Sequence, residues 1–268
     1  MSRRLPISAC LMTLNEERNL PDCLASLAFC DDIVVVDSFS TDRTMEIARK
    51  HTDHVFQRPW PGNVGQRAFS VAQARNDWVL VVDADERVTP ALQEEIAAAL
   101  ASPGGYAGFL VPRRTFYLGR WIEHGDWVPD RKVRFFDRRR AIVGGTDPHD
   151  RVDVEGLVGK LRSPLEHYAY RDLSHHLATT DKYSRTAALE LRKAGRRFHA
   201  RDLVLRPLVR FLKGYLLKRG LLDGIAGLAV AVGTSHFVFM KYLKLYELER
   251  GLDAPAGKSP PATRSPGE

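Results

Sequence analysis

The segment NDWVLVVDADER, Asn76 to Arg87, runs an apolar stretch straight into Asp83 and Asp85, two carboxylates one residue apart. A buried strand ending this way can hold a divalent cation through carboxylate oxygens and leave coordination positions open for a diphosphate. Alone, a DxD triplet is common by chance and would mark only a strand running out into water. Two other segments share its setting. TLNEE (Thr13 to Glu17) and DSFSTDRT (Asp37 to Thr44) also follow apolar runs, and parallel sheets place ligands beyond the carboxyl ends of their strands.

The elements that must position these residues alternate through the first hundred positions. Strands are expected over Ile7 to Leu14, Asp32 to Ser38, His54 to Gln57 and Trp78 to Val82. Helices are expected over Leu20 to Leu27, Asp42 to Lys50 and Gly65 to Ala74, with a further helix opened by Thr89-Pro90 and running through Leu100. Thr as cap and Pro at the first helical position suit that start. The β-α-β-α order is that of a mostly parallel sheet with helices on its faces. From Gly108 to Val143 the pattern turns to strand and loop, with GFLVPRRTFYLGR and KVRFFDRRRAIV as the expected strands.

The chain has 268 residues, 44% of them hydrophobic, and a formal charge of +7. That is enough to bury a full core, and the charge suits an anionic partner. Three cysteines, Cys10, Cys23 and Cys30, lack CxxC spacing, which argues against a disulfide framework or zinc knuckle and fits a reducing cytoplasm. Arg3 and Arg4 precede a short apolar run that reads as a first strand rather than a signal peptide. No recognisable nucleic-acid-binding module is present, so a nucleic-acid partner is not expected.

Taken together, Asn15-Glu16-Glu17, Asp37 followed by Ser40-Thr41-Asp42-Arg43-Thr44, and Asp83-Ala84-Asp85 resemble the family 2 glycosyltransferases, whose nucleotide-sugar-binding domain is called GT-A. The resemblance continues through YLGRWIEHGDWVPDRKVRFFDRRR and LEHYAYRDLSHHLATTDKYSRTAA to about Leu248, where it is to bacterial lipopolysaccharide-core β-1,4-glucosyltransferases. Two departures stand out: Ser38-Phe39 in the family's Asp-Asp-Gly-Ser pattern, and His149-Asp150 where the subgroup has His-Glu. The resemblance implies an α/β fold, with a GT-A domain of mixed, mostly parallel sheet over 1–172; helical spacing adds a basic amphipathic helical extension over 173–250, and Pro-, Ala-, Ser- and Gly-rich composition a disordered tail over 251–268. It implies inverting transfer of a sugar, glucose by this likeness, from a UDP-sugar to a lipid-linked saccharide, with Mg or Mn as cofactor.

By the same resemblance Asp37 recognises the uracil ring, Asn15 and Glu16 border the base and ribose, and Thr13 contributes mainly through its backbone. Asp83 and Asp85 carry the cation, with His167 completing its shell. Arg67 is a candidate for the donor diphosphate, because a guanidinium suits phosphate oxygens. A carboxylate must also take the acceptor proton; the candidates are Asp126, Asp130, Asp147 and Asp150, with Asp150 first and Asp130 second. Trp121 and Trp127 are either packing rings or the lining of an acceptor pocket. His175 and His176 adjoin on a helix and make poor joint ligands.

Within LVLRPLVRFLKGYLLKR, Leu205, Leu208, Val209, Leu212 and Leu216 recur at helical spacing, with Arg206, Arg210 and Lys213 on another face. This basic amphipathic stretch predicts peripheral attachment to an anionic surface, the inner face of the cytoplasmic membrane, with the cations meeting headgroups and the leucines entering the interfacial layer. The uncharged run Gly224 to Met240 is expected in a packed core or a shallow insertion rather than a span. Two other classes compete with this reading. A non-catalytic membrane-surface protein needs only the basic region, and an aspartyl-nucleophile phosphatase uses a DxD that usually ends the first strand, whereas Asp83 follows three earlier ones.

Overall fold

A computed structural model describes residues 4–146 and 149–252. The tail from Asp253 and the candidate base Asp147 lie outside the described residues. The chain forms two compact units, one built from Met1–Ile122 and Trp127–Ala169, the other from Glu123–Asp126 and Tyr170–Glu268.

In the first unit β1 (Leu5–Thr13), α1 (Leu20–Ser26), β2 (Cys30–Asp37), α2 (Thr44–His51), β3 (Val55–Gln57), α3 (Asn63–Ala72) and β4 (Trp78–Val81) follow the expected alternation. Then come β5 (Glu86–Val88), α4 (Pro90–Ala101), β6 (Tyr106–Tyr117), β7 (Arg120–Trp121) and β8 (Asp130–Asp137). β9 (Ala141–Thr146), β10 (His149–Val154), β11 (Leu157–Lys160) and β12 (Leu165–His167) complete the unit. The main sheet has the order β3-β2-β1-β4-β8-β6-β12-β5, with β7 and β11 also paired to β6. β1 to β4 are parallel to one another where they pair, and β8 enters antiparallel to both β4 and β6.

Period-two alternation decides which face each strand residue meets. Ile7, Ala9 and Leu11 of β1 join Leu20 and Leu24 of α1 and Leu92 and Ile96 of α4 in one core. Cys10 points the other way, among Val34, Val71, Val79 and Phe136, with Val143 and Val152 of the β9–β10 pair packed against them. Thr89 caps α4 by accepting from the Leu92 amide, with Pro90 at the first position as expected. The expected single strand KVRFFDRRRAIV is instead two strands in two sheets. Asp137 accepts from the Arg139 amide and turns the chain through a short 3-10 segment, Arg138–Arg140, before β9 begins. All three cysteines are free and buried.

The second unit holds α5 (Leu173–Lys193), α6 (Arg201–Leu212) and α7 (Gly224–Arg250). Here the expected orientation of the amphipathic stretch is corrected. Arg206 Nε pairs with Asp202 Oδ1 at 2.6 Å and its guanidinium lies over the Tyr242 ring. Arg210 Nε lies 3.0 Å from Asp126 Oδ2 and Lys218 Nζ 3.2 Å from Oδ1, and the Asp126 side chain is fully buried. The arginine face is therefore drawn inward onto carboxylates, while Leu205, Leu208, Val209 and Leu212 are exposed. Of the three predicted headgroup contacts, Lys213 is the one that is exposed and forms no ion pair among the described residues. Gly220–Arg250 is long and apolar enough to cross a membrane by length and composition, and 28% of its most apolar window is buried.

Candidate active site

Three neighbouring parallel strands end together. Thr13 stands opposite Asp37 in the β1–β2 register, and Cys10 stands opposite Val81 in β1–β4, two residues before Asp83. Asp37 is fully buried. Its carboxylate accepts from Thr13 Oγ1 at 3.2 Å, the Ser40 amide at 2.9 Å, Gln57 Nε2 at 3.0 Å and the Ser40 hydroxyl. Asn15, at φ 57°, accepts from the Thr41 amide through Oδ1 at 2.8 Å, and its own amide donates to Ser40 Oγ at 2.8 Å. The Glu16 amide donates to Thr44 Oγ1 at 2.8 Å. The two expected nucleotide loops are thus stitched into one surface. Phe39, at φ 61° and 54% exposed, occupies a left-handed position that favours glycine.

At the next strand end, Asp83 receives Arg67 Nη2 at 2.8 Å on Oδ1 and Arg134 Nη2 at 2.7 Å on Oδ2. Arg67 comes from α3 and passes its Nε to Asp150 Oδ2 on β10. Arg134, on β8, also donates to Glu86 Oε1 at 2.8 Å, and Arg113 reaches the same oxygen at 3.3 Å and Asp130 Oδ2 at 2.6 Å. One alternating chain of acids and guanidinia therefore joins both candidate bases to the DxD turn: Asp150, Arg67, Asp83, Arg134, Glu86, Arg113, Asp130. Asp130 and Arg113 are direct cross-strand partners in the β6–β8 register. Glu86, fully buried, also accepts from the Asp83 amide at 2.9 Å, which fixes the turn.

Burial works to raise the Asp83 carboxyl, but the charges and hydrogen bonds of Arg134 and Arg67 prevail and hold it well below the usual carboxylate range. The Asp85 carboxyl is likewise lowered against its burial, by the charge and hydrogen bond of His167. Arg67 Nη1 is buried and has no hydrogen-bond partner among the described residues.

His167 reaches Asp85 because β12 pairs with both β5 and β6, placing it opposite Glu86 and Thr115. Its Nε2 is 3.3 Å from Asp85 Oδ2, and Thr115 Oγ1, 3.1 Å from Nδ1, fixes the ring. Among the described residues no three His, Cys, Asp or Glu side chains converge to hold a metal ion. Asp83 is taken up by its two arginines, so the facing pair Asp85 and His167 is what fits a cation. Two protein ligands suit a cation that fills its remaining positions with water and substrate phosphates.

Of the other sequence candidates, Asp126 belongs with Arg210 and Lys218 in the helical unit. Trp121 packs on Phe116 and Tyr168, with ring centroids 5.1 and 5.7 Å apart, and Trp127 packs on Tyr117 at 5.2 Å. His176 stacks on Tyr170 at 4.3 Å. Arg134, Arg113 and Glu86 were not foreseen. The available signal was a charged residue inside the buried run VRFF, and an acid directly after the DxD.

Residues 8–158, more than half of the chain, match the model of glycosyl transferase family 2. The chain belongs to this family. This glycosyltransferase has the GT-A fold, a mixed sheet with helices, followed by the C-terminal helices. It is 30% identical over 254 residues, 92% of this chain and 94% of the relative, to the lipopolysaccharide core biosynthesis glycosyltransferase LpsC of Rhizobium meliloti. It is 29% identical over 254 residues, 90% of this chain and 86% of the relative, to an uncharacterized glycosyltransferase of Rickettsia typhi. A solved structure of S. aureus TarS in complex with UDP-GlcNAc aligns over 92% of each chain at 14% identity, with a TM-score of 0.46.

Proposed function

We propose that this glycosyltransferase inverts the anomeric centre as it moves glucose from UDP-glucose to a lipid-linked saccharide of the lipopolysaccharide-core type, at the inner face of the cytoplasmic membrane. The observation that carries the reading is the DxD turn, where Asp85 faces His167 and Asp83 shares the Arg67 guanidinium with Asp150. The likeness to LpsC, over nearly the whole of both chains, supports the acceptor class.

Mg²⁺ or Mn²⁺ held by Asp85 and His167 would neutralise charge on the departing UDP. The protein's own groups do the rest. Asn15, Glu16 and Thr13 border the base and ribose, and Asp37 serves the uracil end through the loop it holds, since its oxygens are already engaged. The unpartnered Nη1 of Arg67 is the group to meet a diphosphate oxygen. The acceptor hydroxyl oxygen bonds to the anomeric carbon as the bond from that carbon to UDP breaks. The electron pair leaves with UDP, and Asp150 takes the hydroxyl proton. Asp130, tied to the same network through Arg113, is the second candidate for the base.

The test is a donor screen against a lipopolysaccharide-core acceptor, reading UDP release and sugar transfer with and without Mg²⁺ or Mn²⁺. Cation-dependent transfer from UDP-glucose supports the reading. Transfer from another donor alone corrects the sugar, and no transfer from any UDP-sugar overturns it.

A further inference from the structure

From α6 to the start of α7 the acids are buried and most of the leucines exposed, and the two facts are connected. Between Arg201 and Tyr246 the only acidic residues are Asp202 and Asp223. Both are buried, at 5% and 1% exposure. Asp202 takes Arg206, while Asp223 accepts from the Glu123 and His124 amides at 3.0 and 2.7 Å. Asp126, also buried, takes Arg210 and Lys218. These anchors fix the rotation of α6 about its axis, so Leu208 and Val209 must face outward.

The chain between α6 and α7 exposes apolar side chains as well. Leu217 is 80% exposed and Leu222 54%, and Ile225, at the start of α7, is 83% exposed. Packing fixes the turn between them. A Cβ on Gly214 would meet Asp126 Oδ2 at 2.6 Å, and one on Gly227 would meet the Gly220 carbonyl oxygen at 1.9 Å. Exposed Arg201, Lys213 and Arg219 accompany the leucines, and residues 201–246 carry no exposed acid. Exposed apolar side chains in this number along one stretch of chain mark a partner site, and the charge around them selects the partner. Two copies of this chain meeting here would bring like charges together, whereas an anionic bilayer offers hydrocarbon to the leucines and phosphates to the cations.

We propose that the apolar surface from α6 through the turn to the start of α7 inserts into the interfacial layer of an anionic membrane, held in that orientation by Asp126 and Asp202. The inference rests on the reading that the acceptor is lipid-linked, and it replaces an electrostatic attachment through Arg206 and Arg210 with one carried by apolar side chains and only trimmed by charge. Attachment should then survive salt yet remain peripheral.

The full chain is tested by flotation with sugar-free vesicles of phosphatidylglycerol and phosphatidylethanolamine, beside a Leu217→Ser, Leu222→Ser, Ile225→Ser variant. Circular dichroism and transfer to a detergent-solubilised acceptor confirm that the variant is folded and active. The expected result is flotation of the wild type in about 1 M salt, where the screening length is about 3 Å, and partition of the variant weaker by about tenfold or more. Lys213→Glu with Arg219→Glu should weaken binding less than the triple change. The proposal is overturned if the triple variant floats as the wild type does, if 1 M salt alone releases the wild type, if alkaline carbonate fails to extract it, or if the wild type is a dimer that the variant dissociates. The vesicles contain no acceptor, so a failure of flotation with transfer intact refutes only the surface. Loss of transfer with flotation intact refutes only the acceptor reading.

Discussion

In the sheet unit, Arg67 and Arg134 converge on Asp83 with their side chains only 5% exposed. In the helical unit, Arg206 and Arg210 reach Asp202 and Asp126 with 45% and 38% of their side chains still exposed. The chemistry of the pairs is the same, but the solvent differs. Where the arginine itself is dry, as Arg134 is, removing it leaves the buried Glu86 and the partly exposed Asp83 short of a charge that water does not replace. Where the arginine keeps its outer face wet, the pair chiefly sets direction, here the rotation of α6. The first arrangement ties the strand ends to both candidate bases, and the second decides which face of α6 is exposed.

Function should break first at the dry network. Asp150→Asn keeps the side chain's shape but cannot take a proton, so transfer should fall by about a hundredfold or more while UDP binding persists. Turnover assays beside UDP titrations check this, and an active Asp150→Asn with a dead Asp130→Asn would move the base to the other end of the network.

The stability contrast is sharpened by two arginine removals. Arg134→Met leaves Asp83 and buried Glu86 short of a partner and should destabilise the sheet unit by about 3–5 kcal/mol. Arg206→Met frees an acid whose partner was half-hydrated and should cost only about 1 kcal/mol or less. Urea unfolding followed by probes in each unit separates the two, and equal losses would erase the distinction.

Acid gives the smallest and most graded effect. Burial, aided by the charges of His175 and His236, lowers the His176 imidazole below its ordinary value. Its folded form resists protonation, so its contribution to stability is complete above the unfolded value of about 6.5 and declines as pH falls below it. Asp83 and Asp85 are lowered carboxylates; their contribution is complete above about 3.9 and is lost only as pH falls further. The helical unit should therefore soften first between pH 7 and 5, with His176→Phe flattening that loss, as read by thermal melts across pH.

Much of this was legible in the sequence because it was local. The runs Ile7 to Leu14, Asp32 to Ser38 and Trp78 to Val82 announced strands and placed three polar ends at one edge of a sheet, and Thr89-Pro90 announced α4. His167 meets Asp85 only through the pairing of β12 with β5, a long-range fact that a three-residue strand cannot signal. Arg134 and Glu86 looked like ordinary charges because their neutralising partners lie on other elements. Helical spacing found the two faces of α6 but not which one turns inward. Asp126, far away in the chain, decides that.

The cation at the DxD turn is the claim on which the rest depends, and calorimetric titration of UDP with and without Mn²⁺ tests it directly, in the wild type and in Asp85→Ala. The account predicts that Mn²⁺ tightens UDP binding to the wild type and that Asp85→Ala removes this effect while the fold persists. Equal UDP affinity with and without Mn²⁺, or an Asp85→Ala protein that keeps the full Mn²⁺ effect, would contradict it.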